Sequence, residues 1–285
     1  MHTLSTAYFS MRNALLQIYD DREAGAIAHQ VLEYLTGFTK TERLIKKDDV
    51  LSVDQQNRYE YIYDKLVSTV PLQYAIGEAW FMGNKYTVNK SVLIPRPETE
   101  ELVGWIVEDY RKAKETLSVL EVGTGSGCIS VSLHKILRNV VIESCDVSSE
   151  ALDVAAINAN KLGAAIELRN IDFLKWSECT WKEKYDIIVS NPPYIPVSVK
   201  EKLHSNVVNN EPHIALFVPD SDPLLFYRAI ASFGRTHLAE SGHIYCELDA
   251  DNAMETKLMF EQAGYRSVEI RYDIHGNRRM IRAMK

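Results

Sequence analysis

The chain has 285 residues, of which 46% are hydrophobic and 25% charged, the composition of an ordinary globular protein that can bury a sizeable core. Asp and Glu outnumber Lys and Arg by 39 to 32, and the net charge of −7 argues against stable, non-specific nucleic-acid binding, which needs basic surface. The four cysteines form no CxxC pair, so we expect free thiols, no metal site and a cytoplasmic location. Neither a signal peptide nor a membrane span is recognisable, so no membrane association is expected.

The first 75 residues carry a helical pattern of apolar side chains. Val31, Leu32 and Leu35 repeat at the three- and four-residue spacing that places side chains on one face of a helix. Gly37 follows them as a candidate C-cap. The pattern predicts a small helical domain over residues 1–75, whose amphipathic helices pack on one another or on a partner.

Residues 76–97 differ from the helical segment. Aromatic and β-branched residues are interrupted by Gly83 and Asn84, which predicts a β-hairpin. The stretch ends in Pro95-Arg96-Pro97, a stiff extended segment. We therefore expect residues 76–97 to link the helical domain to a second domain over residues 98–285.

The second domain alternates helical and strand-like segments, beginning with a helix from residue 98 to about residue 114. The alternation predicts an α/β fold, with a mainly parallel, Rossmann-like sheet of seven strands and helices on both faces. The last two strands are joined by a short turn, so they form a terminal antiparallel hairpin. The predicted strands are residues 118–122, 140–146, 165–171, 185–190, 243–248, 267–274 and 278–284, and helices between them begin near residues 127, 149, 222 and 252.

A glycine-rich turn, Gly123-Thr124-Gly125-Ser126-Gly127, joins the first predicted strand to a helix. Glycines allow a tight turn and close approach of a ligand, and the helix N-terminus offers free N–H groups. A phosphate-binding P-loop is excluded, because Cys128 and Ile129 stand where Lys and Ser or Thr are required. A dinucleotide fingerprint would have Gly or Ala at position 128, so a smaller ligand such as S-adenosylmethionine suits the turn better.

Acidic residues at neighbouring strand ends extend this candidate cofactor site. Asp146 lies about 20 residues after the first glycine, where a carboxylate accepts hydrogen bonds from ribose hydroxyls; the alternative is a helix N-cap. Asp172 and Phe173 close the third strand and could bind the adenine amino group and cover its ring, or form an ordinary strand end. Glu121, beside the turn, either binds the ligand amine or orients the loop.

The fourth strand ends in Asn191-Pro192-Pro193-Tyr194. Ligands of open α/β sheets bind beyond the carboxyl ends of the strands, so Asn191 should border both the cofactor and the methyl acceptor. The Asn191 side-chain oxygen and the Pro192 carbonyl could each accept one N–H of a planar amide or amine. The two proline rings would hold that carbonyl rigidly, and Tyr194 would offer a flat stacking face.

Such an arrangement would catalyse methyl transfer to nitrogen by orientation and electrostatic preorganisation, with Asn191 and Pro192 as the catalytic pair. No strong base is required, because the nitrogen becomes acidic as the new bond forms. The alternative is a proline-rich turn after a buried strand.

These motifs resemble the class I methyltransferases, and among them the release-factor glutamine methyltransferases. Asn-Pro-Pro-Tyr also occurs in DNA adenine-N6 methyltransferases, so only the flanking segments distinguish the two families. They resemble the glutamine enzymes at Pro71–Gly77, Leu93–Glu100, Glu211–Leu216 and Asp273–Arg282. The resemblance implies S-adenosylmethionine as cofactor, and the glutamine of the Gly-Gly-Gln loop of peptide-chain release factors as substrate. It also implies a helical N-terminal domain that helps to dock the release factor, and it places Arg96 at the substrate.

Three alternatives differ from this interpretation. A DNA or RNA adenine-N6 methyltransferase would flip its base and carry a basic recognition region, which an acidic chain with a small helical domain does not indicate. A non-catalytic nucleotide-binding scaffold would not require the Asn191–Tyr194 motif beside a complete glycine turn. An NAD-dependent oxidoreductase conflicts with Cys128 and with the lack of an evident acid–base pair.

Overall fold

The computed structural model describes residues 1–285. Its N-terminal part is helical, as the sequence predicts. Its helices begin after capping residues: Thr3, Thr39 and Ser52 each accept a hydrogen bond from the backbone N–H three residues later. Gly37 ends the second helix with φ of 71°, which confirms the predicted cap. The helices are α1 (Leu4–Leu15), α2 (Asp21–Thr36), α3 (Lys40–Ile45), α4 (Val53–Val67) and α5 (Leu72–Ile76).

These helices form one of two units into which the chain divides, Met1–Glu78 together with His204–Asn210. Its core contains the apolar faces of α1, α2 and α4, including Met11, Val31 and Ile62, all at most 1% exposed. The separate segment His204–Asn210 is attached to the unit by side-chain amides. Asn206 donates to the Tyr19 hydroxyl, and Asn210 donates to the carbonyl of Thr69 at 2.9 Å.

The second unit, Ala79–Leu203 with Glu211–Lys285, contains the sheet. A short hairpin, β1 (Glu78–Phe81) and β2 (Asn84–Thr87), leads through an irregular segment to α6 (Pro97–Tyr110). The alternating part then follows as β3 (Leu117–Val122), α7 (Cys128–Ile136), β4 (Val140–Asp146), α8 (Ser149–Leu162), β5 (Ile166–Asn170) and β6 (Tyr185–Ser190). The remaining elements of this unit are β7 (Ile195–Pro196), β8 (Phe217–Val218), α10 (Leu225–His237), β9 (Leu238–Glu247), α11 (Ala253–Gln262), β10 (Arg266–Tyr272) and β11 (Arg278–Met284). Helix α9 (Ser205–Asn210) lies between β7 and β8 in the sequence but belongs to the first unit.

Seven of these strands form one sheet in the order β10-β11-β9-β6-β3-β4-β5. Strands β9, β6, β3, β4 and β5 are parallel, whereas β11 and β10 are antiparallel to their neighbours. The predicted mainly parallel sheet with a terminal antiparallel hairpin is thereby confirmed. None of the helices is both long enough and apolar enough to cross a membrane.

Strand β9 begins at Leu238, five residues before the predicted start at residue 243. Its pairing with β6 shifts register after Leu238 and resumes at His243. The residues between include exposed polar side chains, so this segment lacks the apolar alternation that would have predicted a strand.

Both faces of the large sheet are covered by helices. Successive residues of β3 alternate between two hydrophobic clusters: Leu120 packs with Phe233 of α10 and Phe260 of α11, whereas Val119 packs with Trp105 of α6. This is the three-layer arrangement expected for a parallel sheet.

The order of the strands reverses between β3 and β6. The chain runs from β3 to β4 and β5 on one side, and then returns to place β6 on the other side of β3. Their carboxyl ends are aligned, with Val122 opposite both Cys145 and Ser190. Such a switch point leaves a crevice beyond the strand ends, where ligands of open α/β sheets bind.

Candidate functional site

A cavity of about 350 Å³ occupies the crevice at the switch point. This volume is within the range of pockets that enclose small molecules. The residues that line it come from the glycine turn, the ends of β4, β5 and β6, and the segment before α6. Those that the sequence singles out are Arg96, Glu121, Gly123, Thr124, Gly125, Ser126, Asp146, Asp172, Phe173, Asn191, Pro192 and Pro193.

The glycine turn brings backbone close to this cavity. Gly125 has φ of 53° and has no heavy atom within 4 Å of the place where a Cβ would be. Gly127, with φ of 75°, meets Ala155 of α8, whose Cβ would lie 3.2 Å from an added Cβ. Gly125 therefore leaves room on the cavity side, and Gly127 allows α7 to begin close to α8. Unlike the other four turn residues, Gly127 is not part of the cavity lining.

Glu121 is almost completely buried, and only one of its carboxylate oxygens is hydrogen-bonded. Its Oε2 accepts from the Ser144 hydroxyl, which in turn accepts from the Thr124 hydroxyl at 2.9 Å. Oε1 has no hydrogen-bond partner although Glu121 lines the cavity. Burial raises the pKa of Glu121 to about 7, against the hydrogen bonds from neighbouring serines. Because Oε1 of Glu121 is a buried acceptor without a donor, it fits a cationic or N–H-bearing ligand.

Asp146 holds the glycine turn and the start of α8 together. Its Oδ2 accepts from the Gly125 N–H at 2.8 Å, and its Oδ1 accepts from the Ser148 N–H at 3.0 Å. Burial raises the pKa of Asp146, and these backbone hydrogen bonds oppose the rise. The N-cap of α8 is Ser148, whose side chain accepts from Ala151 N–H. Each carboxylate oxygen has two lone pairs, so Asp146 keeps acceptor capacity toward the cavity.

Asp172 and Phe173 both line the cavity but differ in exposure. Asp172 caps the short 3-10 helix Phe173–Glu178 by accepting from the Leu174 N–H at 3.1 Å, and it lies 3.5 Å from the Lys175 ammonium. Phe173 is 5% exposed, with its ring packed edge-on against Trp181 and Phe233. Phe173 therefore belongs to the sheet core as well as to the cavity wall.

Asn191, Pro192 and Pro193 follow β6 directly and line the same cavity as the glycine turn. Tyr194 differs: its ring packs against the hydrophobic core, and its hydroxyl donates to Oε1 of Glu247 at 3.0 Å. The structure thus brings Asn191 and both prolines to the crevice. Tyr194 is not part of the crevice lining, and its stacking role stays a prediction.

Two residues that the sequence analysis missed complete this part of the site. Asn191 Nδ2 donates to Thr99 Oγ1 at 3.1 Å, and the Thr99 hydroxyl donates to Glu247 Oε2 at 2.6 Å. Thr99 and Glu247 are 3% and 2% exposed. The sequence carries one sign of this role, and only for Glu247: a charged side chain at the end of a buried strand, in Tyr245-Cys246-Glu247.

Arg96 lies at the cavity wall with its guanidinium paired to the Glu211 carboxylate. The side chain of Glu211 is 1% exposed, and its other oxygen accepts from the Ile94 N–H at 3.2 Å. Glu211 thereby fixes the segment before α6 to the loop that precedes Ile214, another cavity residue. Contact of Arg96 with a substrate stays a prediction.

Comparison with known proteins agrees with this geometry. The family model described as "Methyltransferase small domain" matches residues 105–212, and the one described as "PrmC N-terminal domain" matches residues 11–77. A solved methyltransferase structure from Pyrococcus furiosus superimposes with a TM-score of 0.52, over 81% of this chain and 98% of that chain. At 16% identity this likeness shows the shared fold alone.

Two relatives match nearly the whole length. The release factor glutamine methyltransferase of Flavobacterium psychrophilum is 38% identical over 273 residues, which cover 94% of each chain. That of Bacteroides thetaiotaomicron is 39% identical over 278 residues, covering 98% of each. The resemblance that the motifs indicate is thereby confirmed: the chain belongs to the release factor glutamine methyltransferase family.

Proposed function

We propose that this chain transfers a methyl group from S-adenosylmethionine to the side-chain amide nitrogen of a glutamine, in the Gly-Gly-Gln loop of peptide-chain release factors. The observation that carries the proposal is the position of Asn191 and Pro192, which line one cavity together with the glycine turn. Membership of the family supports the substrate.

The residues of the cavity fit S-adenosylmethionine, which would supply an electrophilic methyl group on a sulfonium. The unpartnered Oε1 of Glu121 fits the amine of its methionine part. The N–H groups at the start of α7 fit the carboxylate, and Asp146 retains acceptor capacity for ribose hydroxyls. Asp172 and Phe173, which also line the cavity, suit an adenine amino group and ring face.

Asn191 and Pro192 would hold the acceptor amide. The Asn191 side chain uses its Nδ2 as a donor to Thr99, so Oδ1 is left to accept one N–H of the substrate amide. The Pro192 carbonyl would accept the other N–H. Both proline rings restrict φ, so this carbonyl is fixed before the substrate binds. With both N–H groups held, the face of the nitrogen is turned toward the methyl donor.

No general base is needed in this scheme. The amide lone pair is delocalised, and hydrogen bonds to two oxygen acceptors favour the charge that develops on nitrogen in the transition state. The nitrogen–carbon bond forms as the carbon–sulfur bond breaks, and the N–H proton, acidified in this way, then leaves to water. The contribution of the chain is orientation and preorganised acceptors.

We also propose that the helical unit takes part in docking the release factor. Large apolar side chains remain exposed on it; Leu44 and Ile45 of α3 are 64% and 79% exposed, and Val53 at the start of α4 is 64% exposed. Leu44 and Ile45 are adjacent in the sequence, so these exposed apolar side chains are available for contact with a protein partner.

Mass spectrometry of purified release factors, incubated with the chain and S-adenosylmethionine, tests the proposed reaction. We expect one added methyl group on the glutamine of the Gly-Gly-Gln loop, and none in a release factor with asparagine at that position. An adenine-containing DNA duplex is the control for the alternative acceptor. Methylation of the DNA without methylation of the release factor would overturn the proposal.

A further inference from the structure

The side-chain amide of Asn191 can bind a substrate amide in only one of its two orientations. Rotating the amide by half a turn exchanges Oδ1 for Nδ2 with little change in shape. In one orientation an oxygen acceptor faces the cavity, whereas in the other an NH2 donor faces it. The second orientation would place two N–H donors against each other when a substrate amide enters. Binding of the substrate amide therefore requires a neighbouring group that favours the first orientation of the Asn191 side chain.

Thr99 makes the contact that distinguishes the two ends of this amide. Its Oγ1 lies 3.1 Å from Asn191 Nδ2 and 2.6 Å from Glu247 Oε2. Burial raises the pKa of Glu247, but both of its oxygens accept from hydroxyls, those of Thr99 and Tyr194, and these hydrogen bonds favour the ionised form. An ionised carboxylate only accepts hydrogen bonds, so the single hydroxyl proton of Thr99 points toward Glu247. Thr99 then has only lone pairs to offer to Asn191. The Asn191 NH2 group fits there, whereas its oxygen would meet another acceptor.

Strand pairing and a second hydrogen bond keep the Glu247 carboxylate beside Thr99. It ends β9, one residue beyond Cys246, which pairs with Ser190 at the end of β6. Glu247 therefore lies beside Asn191 by strand register, and it is 2% exposed. Its second oxygen accepts from the Tyr194 hydroxyl at 3.0 Å. Both oxygens are thus used by hydroxyl donors.

We propose that Thr99 is a positioning residue whose hydroxyl, oriented by Glu247, keeps Asn191 Oδ1 directed toward the methyl acceptor. This inference rests on the proposed function, because Asn191 must hold the substrate amide for its orientation to matter. It also explains why a charged residue ends a buried strand, since only a group without donors forces the direction of the Thr99 hydroxyl.

Substitution of Thr99 separates a directional role from packing. Thr99→Val keeps the shape but removes the hydroxyl, and we expect kcat to fall about 10- to 100-fold, as misorientation of a catalytic group does. Thr99→Ser keeps the hydroxyl and should retain kcat within about threefold, whereas S-adenosylmethionine affinity should stay within about twofold in both. The matched control is Thr256→Val, which removes a buried hydroxyl of α11 that donates to the Asn252 carbonyl and should leave kcat unchanged.

Nuclear magnetic resonance of the free protein supplies a readout that does not depend on activity. The side-chain NH2 signals of Asn191 are identified as the pair that Asn191→Ala lacks. Because the Asn191 NH2 group donates to Thr99, we expect its hydrogen exchange to be slow in the wild type and in Thr99→Ser. In Thr99→Val the exchange should be faster by at least about tenfold, the factor that corresponds to losing one hydrogen bond of about 1.4 kcal/mol.

The outcomes are distinct. Wild-type kcat in Thr99→Val, or equal losses in Thr99→Val and Thr99→Ser, would overturn the inference even if the melting temperatures fall. Unchanged exchange of the Asn191 amide in Thr99→Val would also overturn it. Full activity of Asn191→Ala would instead contradict the proposed function itself, whatever the Thr99 variants show.

Discussion

The backbone N–H of Gly125 donates a 2.8 Å hydrogen bond to Oδ2 of Asp146, which ties the glycine turn after β3 to the end of β4. Asp146 thus shapes the turn as well as offering acceptors to a ligand. We predict that Asp146→Ala weakens S-adenosylmethionine binding by about 1–3 kcal/mol, roughly 5- to 140-fold in affinity. Isothermal titration calorimetry measures this directly.

The control for that variant is Asp153→Ala, which removes a carboxylate from the exposed side of α8. We expect Asp153→Ala to bind S-adenosylmethionine with wild-type affinity. An Asp146→Ala protein that binds the cofactor as tightly as Asp153→Ala would show that Asp146 does not take part in the cofactor site.

Cofactor affinity should depend on pH through Glu121. Burial raises the pKa of this carboxyl group to about 7, so the protonated form gains population as the pH falls toward and below that value. A protonated Glu121 has lost the charge that attracts an ammonium group. We therefore predict weaker binding at about pH 6 than at about pH 8, with a proton released on binding near pH 7.

Calorimetry in buffers of different ionisation enthalpy measures that proton release. Glu121→Gln should bind the cofactor more weakly and lose the dependence, because the variant has no titratable group at this position. The same slope of affinity against pH in wild type and Glu121→Gln would assign the titration to another group.

The pairing of Arg96 with Glu211 should contribute to stability. Glu211→Ala removes the acceptor for both the Arg96 guanidinium and the Ile94 N–H, and leaves the latter buried. We predict a loss of about 1–3 kcal/mol in unfolding free energy, seen as a lower melting temperature by calorimetry. Combining it with Arg96→Ala should add less than the sum of the single effects, since each variant breaks the same pair. Strict additivity would show that the pair does not act as a unit.

Docking by the helical unit predicts a difference between protein and peptide substrates. Leu44→Ser with Ile45→Ser removes exposed apolar side chains of α3 without touching the unit's core. We expect KM for a folded release factor to rise about tenfold, the factor for losing roughly 1.4 kcal/mol of contact. A short Gly-Gly-Gln peptide should be methylated at the wild-type rate.

The matched control is Met254→Ser with Leu258→Ser, two similarly exposed residues of α11 in the other unit, at 54% and 51% exposure. It should leave KM for both substrates unchanged. Equal effects of the α3 variant on protein and peptide would remove the docking role from α3.

The sequence predicted the parts of the site that lie within short segments. A glycine turn after a strand and Asn-Pro-Pro-Tyr after another strand each carry a local signal, and the parallel topology places both at one edge of the sheet. The strand and helix order was predictable for the same reason, because each element has its own periodicity.

The polar network around Asn191 could not be predicted in this way. Thr99 and Glu247 are 148 positions apart, and their hydrogen bond exists because β9 pairs with β6 and α6 begins near its end. No local pattern encodes such a partnership. Tyr194 shows the same limit: the hydrogen bond from its hydroxyl to Glu247 joins residues 53 positions apart and has no local signal, while its stacking on a substrate stays a prediction.

The central claim is that Asn191, although it borders the cofactor cavity, acts mainly by holding the methyl acceptor and contributes little to the affinity for the methyl donor. Single-turnover methylation of a release factor by Asn191→Ala, measured beside its affinity for S-adenosylmethionine, tests this most directly. We predict a rate at least about 100-fold below wild type, the usual cost of removing one oriented hydrogen-bonding group, with affinity within about threefold. A near-normal rate, or a loss of affinity as large as the loss of rate, would contradict it.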